Sequence, residues 1–160
     1  YEGTTGIQAL DLLARKIIGT QGEILKPFAK DVTAFCQENV DNAAMAEFIQ
    51  PIMAYAQEWH EITLSIGHKA IKNPDEIGGA SVDYLMYAGY VTLAYFWAKM
   101  AKVAQVKLAE GTTDHAFYQA KINTARFFIQ RMLPRAKGHA ACIENGVDSM
   151  MAIKSEDFAF

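Results

Sequence analysis

Residues 41–72 read DNAAMAEFIQPIMAYAQEWHEITLSIGHKAIK, and in them Phe48, Ile52, Tyr55, Trp59, Ile62 and Ile66 recur at alternating steps of four and three. That period places all six on one face of a helix. A stripe of this length has to be covered by neighbouring helices. Asp41 or Asn42 can cap its start, and Asn73-Pro74-Asp75 closes it. Pro51 inside the stretch predicts a kink, or a short helix ending before it. Strictly alternating β-branched runs and hairpin dipeptides between apolar runs are missing from the whole sequence.

The flanking segments have the same helical character. Glu23 to Glu38 reads as a helix with Pro27 in its first turn and a stripe of Phe28, Val32 and Phe35, with Leu25 on its flank. Upstream, a first helix runs from Thr5 to Ile18 and breaks at Gly19-Thr20-Gln21-Gly22, with Gly19 as a left-handed cap. Downstream of Gly78-Gly79, Ser81 to Glu110 is the longest helix. Val82, Leu85, Met86, Gly89, Leu93, Phe96, Met100 and Val103 occupy one of its sides, while Ala88, Ala94, Ala98, Ala101 and Ala104 permit close approach of neighbours. A turn at Gly111 to Asp114 leads to a last long helix from His115 to Ala141, kinked near Pro134, and then to a short one near Val147 to Ala152. Long helices joined by short turns run antiparallel. The expected fold is all-α: an up-down-up-down bundle of four long helices from Glu23 to about Ala141, with the first helix as an appendage.

Composition narrows the function. The chain has 160 residues, 51% of them hydrophobic, and a formal net charge of −3, so it is a folded domain without the basic stripe of a nucleic-acid binder. No apolar run is long enough to span a bilayer, and no polybasic block adjoins an amphipathic segment. Cys36 and Cys142 lack metal-like spacing and read as buried, reduced thiols of a cytoplasmic protein. No metal site is expected: His60 and His68 lie eight residues apart, and Gln57 stands where a Glu-x-x-His pair needs its acid. His60, His68, His115 and His139 therefore read as surface or helix-end residues. Tyr84, Tyr87, Tyr90, Tyr95, Phe96 and Trp97 lie on more than one face of their helix, which predicts core packing plus a contact with another domain or subunit. Arg126, Arg131, Arg135 and Lys137 read as a solvated face. The sequence contains no nucleophile elbow, phosphate loop or dinucleotide glycine motif.

Chemistry concentrates at the start. Tyr1-Glu2-Gly3-Thr4-Thr5-Gly6 puts a carboxylate on a glycine-rich turn before a helix, and Thr5 with Gln8 has the spacing of a capping box. Unpaired N–H groups at such a start favour an anion, and Glu2 beside them can serve as a base once apolar matter covers it. The run YEGTTGIQALDLLARK, residues 1–16, resembles the signature near the end of the flavin-dependent acyl-CoA dehydrogenases, in which a Tyr-Glu-Gly-Thr turn carries the catalytic glutamate. Tyr87 to Ala101, Phe117 to Pro134 and Gly146 to Phe160 resemble the extra helical domain of a larger, bacterial-type subgroup.

The resemblance implies FAD as cofactor, an acyl-CoA substrate and an electron-transfer acceptor. It makes Glu2 the catalytic base, sets Gly3 against the substrate thioester, and lays Thr4, Thr5 and Gly6 along the flavin. Where many relatives carry a larger polar residue this chain has Gly6, which leaves backbone contacts in its place. It further implies a cytoplasmic homo-oligomer, with residues 1–22 closing the catalytic helical domain and 23–160 forming the C-terminal bundle. Because Tyr1 is not an initiator methionine and opens inside a motif, the chain is expected to be part of a longer polypeptide and inactive alone. The alternative is a non-catalytic helical bundle for oligomerisation or protein contact.

Overall fold

The computed structural model describes residues 3–158. They are helical apart from short connecting turns, with no strand among them. Helix α1 (Thr4–Leu10) continues through wider, π-type turns over Asp11–Ile18. A single 3-10 turn, Glu23–Leu25, leads into α2 (Lys26–Asn39). Then come α3 (Ala46–Lys72), α4 (Asp75–Ala109), α5 (His115–Phe127), α6 (Ala136–Asn145) and the short α7 (Asp148–Met151).

Helix α4 is the centre: it packs against α1 and its continuation, α3, α5 and α6, while α2 lies on α3. Cross-helix pairs fix the directions. Thr63 bonds Tyr84, Glu58 bonds Tyr87 and the Ala44 carbonyl accepts from Gln105, so α3 and α4 run in opposite senses. The segment after α4 returns along it. Ile122 and Ala125 of α5 share a core with Ala98 and Ala101, and His139 of α6 meets Asp83 near the start of α4.

The core divides into two clusters stacked along α4. One joins Val32 and Cys36, Phe48 to Ile52, Ala94 to Ala104, and Ile122 to Leu133. The other joins Leu13 and Ile17, Trp59 to Ile66, Ala80 to Val91, and Ala136 to Ile143. The first helix is thus no appendage: Leu13 and Ile17 are sealed into the second cluster, occupying at that end the place α2 takes at the other. The face expected on α3 is buried, with Ile49 added and Tyr55 half-buried. Pro51 is the sixth residue of an unbroken helix, where its ring leaves the Glu47 carbonyl without the usual amide donor.

Several boundaries differ from expectation, each for a local reason. Gly19 is right-handed (φ −61°), and the left-handed positions fall at Gln21 (φ 51°) and Gly22 (φ 78°), so the chain turns later than read. Gly78-Gly79 does not interrupt α4, whose start lies at Asp75. A Cβ on Gly79 would come within 3.0 Å of Val147, so this glycine makes room for the C-terminal segment instead of breaking the helix. The expected bend at Pro134 is a change of helix type: π turns over Phe128–Met132, then a 3-10 turn at Leu133–Arg135. Widening the helix accommodates a ring that would clash with the carbonyl one turn earlier. Asn42 caps a turn through Ala44 N–H, at 3.1 Å, while α3 itself starts at Ala46.

On α4 the side carrying the small residues is the buried one. Its buried side is built from Ala80, Tyr84, Tyr87, Ala88, Val91, Ala94, Tyr95, Ala98, Ala101 and Ala104. The bulkier stripe faces outward, from Val82 at 43% exposure to Phe96 at 48% and Val103 at 55%. Alanines on the inner side let three helices approach closely, so they won that side over the larger residues.

Tyr87 stitches α3 to α4. Its hydroxyl donates to Glu58 Oε2 at 2.5 Å and lies 3.0 Å from the Tyr55 carbonyl, while Glu58 Oε1 takes Lys137 at 2.7 Å. Lys137 also sits over the Tyr55 ring, 4.9 Å from its centroid. Burial, and then the carboxylate beside it, push the Tyr87 phenol far above the ordinary tyrosine value. Burial raises Tyr84 and Tyr55 as well.

Truncation of fully buried Phe48 to alanine should cost about 3–5 kcal/mol in urea unfolding, and Ala101→Leu about 1–3 kcal/mol from overpacking. Tyrosines of the unfolded chain lose their protons near pH 10.0, whereas Tyr87 keeps its own. The folded state therefore binds more protons there, and stability should fall as pH rises above that value. Tyr87→Phe should reduce that alkaline slope and cost about 1–2 kcal/mol at neutral pH; an unchanged slope across alkaline melts would contradict the assignment. Cys36 is buried with its thiol pushed up by burial, while Cys142 is exposed, contrary to the expectation of two buried thiols. A disulfide reagent should therefore label one thiol quickly, and the second only on unfolding.

Candidate active-site turn and neighbouring surfaces

Glu2 lies outside the described residues, so the geometry available is that of the turn just after it. Gly3 has φ 94°, a left-handed conformation that any side chain would strain. It is the last residue before α1, whose first turn begins at Thr4, two residues earlier than a capping box on Thr5 and Gln8 requires. Thr5 lies inside the helix, and no side-chain cap bond is made at Gly3.

Gly3, Thr4, Thr5 and Gly6 are all exposed and contiguous on this helix start. A Cβ at Gly3 or Gly6 would meet nothing within 4 Å, so space is open beside both. The amides of the first turn are orphaned donors. The turn thus offers N–H groups, two hydroxyls and a side-chain-free approach, a set suited to a flat, polar-edged or anionic group. It is held firmly from behind, where Ala9, Leu13 and Ile17 are buried. Asp11 is bound by Arg15 at 2.5 and 3.0 Å, and that bond lowers its carboxyl below the ordinary value.

Exposed apolar side chains follow along the same helix. Ile7 is 68% exposed. Leu10 edges a shallow hollow of about 500 Å³ shared with Ile77, Gly79, Val147 and Met150.

A second concavity was not anticipated. A groove of about 1010 Å³ runs between α2 and α3, walled by Phe28, Val32, Met53, Trp59 and Leu64, with His60 and His68 along it. Its signal in the sequence is a second stripe on α3 (Met53, His60, Leu64, Gly67, Ile71), diluted by polar residues and overshadowed by the stronger core face.

The remaining sequence candidates are dispersed. Among the described residues no three His, Cys, Asp or Glu side chains converge as metal ligands. His139 sits half-buried in the first turn of α6, where it bonds Asp83 at 2.7 Å and stacks on Tyr90. Tyr84, Tyr87 and Tyr95 are core, whereas Phe96 is exposed. Arg126 does not belong to a free basic face, because Glu47 holds it at 2.8–2.9 Å. Among the described residues no helix is long and apolar enough to cross a membrane.

With that geometry in view, comparison with known proteins is informative. Residues 28–154 match the family described as Acetyl-CoA dehydrogenase C-terminal like. The 3-methylmercaptopropionyl-CoA dehydrogenase of Ruegeria pomeroyi is 32% identical over 154 residues, covering 94% of this chain and 26% of that protein. A broad-specificity linear acyl-CoA dehydrogenase of Mycobacterium tuberculosis is 26% identical over 99% of this chain and 27% of its own length. The butyryl-CoA dehydrogenase of Syntrophomonas wolfei is 28% identical over 99% of this chain and 26% of its own. The chain therefore spans about a quarter of the length of the curated relatives it matches. The helical architecture and the match over residues 28–154 lead to one conclusion: the chain belongs to the acyl-CoA dehydrogenase family, as a stretch of its C-terminal portion.

Proposed function

We propose that this chain is the C-terminal part of a flavin-dependent acyl-CoA dehydrogenase that desaturates an acyl-CoA thioester between its α and β carbons. The observation that carries the reading is the Tyr1 to Gly6 motif on a left-handed glycine turn, directly upstream of a domain matching this family. Glu2 is the base that takes the α-proton, and Gly3, lacking a side chain, lets the thioester approach. Thr4, Thr5 and Gly6 line the cofactor, with their hydroxyls, amides and open space as the supporting features. FAD, when bound, supplies the hydride acceptor for the β-carbon. Glu2 must be desolvated for its carboxylate to become basic enough, and the exposed Ile7 beside the turn is part of the apolar cover. Polarisation of the thioester oxygen falls to donors outside this chain.

The same proposal sets the domain boundary at residue 22, where Gln21 and Gly22 take positive φ in succession. Residues 1–22 close the catalytic domain, and 23–160 form an up-down-up-down bundle. An electron-transfer acceptor, homo-oligomeric assembly and a cytoplasmic location complete the reading. The three relatives are named for different acyl groups yet share this stretch at 26–32% identity. The chain by itself would be inactive for want of the rest of the flavin pocket.

The test is a polypeptide extended upstream to the length of the relatives. It should purify with FAD and reduce a dye when given acyl-CoA. Glu2→Gln should lower turnover about 100- to 10,000-fold while flavin content is unchanged. Full turnover in that variant would sink the reading, as would dye reduction by the 160-residue chain alone. The second reading, an assembly bundle without catalysis, is favoured by the outward apolar stripe of α4, and a colourless, inert extended protein would support it.

A further inference from the structure

Along the first helix Ala9 and Leu13 are fully buried and Ile17 nearly so, with Leu12 and Ile18 partly buried against the core cluster that holds Leu13 and Ile17. Counted from Ala9, these five residues stand at i, i+3, i+4, i+8 and i+9. The inward face of an α-helix runs i, i+3, i+4, i+7 and i+8. One surplus residue therefore lies between Leu13 and Ile17. An α-helix advances about 100° per residue, so an uncompensated extra residue would turn everything upstream of it by that angle about the axis.

The surplus falls where the helix widens. Over Asp11–Ile18 the turns are of π type, and the Gly19 N–H donates to the Ala14 carbonyl, five residues back, at 2.8 Å. A turn closed over five residues holds one more than a turn closed over four. Ala9, Leu13 and Ile17, at two equal steps of four, thereby stay in line, and both halves of the helix pack along α4. Wide turns of this kind are rare and are frequent at functional sites. Here they follow directly on Thr4–Leu10, the helix that begins at the candidate turn.

We propose that Ala9, Leu13 and Ile17 are positioning residues for the base at Glu2. They fix the direction in which the Gly3 to Gly6 turn faces, and the π turns absorb the surplus residue so that this direction is kept. Residues 3–8 are all exposed, so within this chain the rotation of the turn is locked from Ala9 onward. A catalytic group has to be held within about 0.5 Å and 10–20° of its working geometry, and a rotation of about 100° lies far outside that range. The inference rests on the proposed role of Glu2, whereas the packing beneath the turn does not.

Three variants test it, with melting measured on the 160-residue chain and turnover on the upstream-extended polypeptide. Deletion of Ala14 returns the five apolar residues to the α pattern. The shortened chain should therefore melt within about 4 °C of the parent, and its extended form should keep the parental turnover. An alanine inserted between Gln8 and Ala9 leaves the anchors in place but rotates the turn. Melting should then be unchanged while turnover falls at least about 100-fold. Combining the two changes restores the original length but not the direction, so the double variant should stay as slow as the insertion alone. Melting involves no flavin, and it judges the packing even where Glu2→Gln keeps full turnover and sinks the proposed function. A chain lacking Ala14 that melts more than about 4 °C below the parent overturns the inference, as does an insertion that keeps its turnover. Recovery of turnover in the double variant overturns it too, since helix length and not direction would then decide.

Discussion

The close approach of neighbouring helices to the alanine side of α4 is the constraint on which the remaining structure depends. Ala94, Ala98, Ala101 and Ala104 are almost fully buried, and they leave room for Phe48, Ile52, Ile122 and Ile129 to fill the space between axes. At the other end tyrosines replace alanines. Tyr84 and Tyr87 are sealed in, each with its hydroxyl satisfied by α3. One helix therefore holds its neighbours by two means: small residues where contact is intimate, and hydrogen-bonded aromatics where it is wider.

This division explains what was legible beforehand. The α3 face from Phe48 to Ile66 was readable because period and burial agree along it. For α4 the alanines that permit close approach were readable, whereas the exposure of the bulkier stripe was not, because both sides are apolar. The choice depends on how near α3, α5 and α6 come, which no local pattern encodes. Glycines misled for a related reason. Gly79 reads as a breaker in isolation, yet its missing side chain answers to Val147, 68 positions further along the sequence. Pro134 was located correctly as an irregularity, but the widening into π turns reflects packing of Phe128 and Leu133 that the sequence does not announce.

The candidate site was legible by a different route. Charge and histidine spacing argued against nucleic-acid and metal functions only in general terms, and the chemistry came from six residues whose meaning rests on a family likeness. The structure adds what that likeness lacks: a left-handed Gly3, open space at Gly6, and a helix fixed through Leu13 and Ile17. The groove between α2 and α3 was overlooked because its lining mixes histidine, glycine and glutamine with apolar residues, which blurs any period.

Three half-buried aromatics, Phe28, Tyr55 and Tyr90, pack against both core clusters and form a waist between them. Above and below it, each cluster has its own complement of interlocking side chains. Damage confined to one storey is thereby insulated from the other, and compensating substitutions can accumulate on each floor independently.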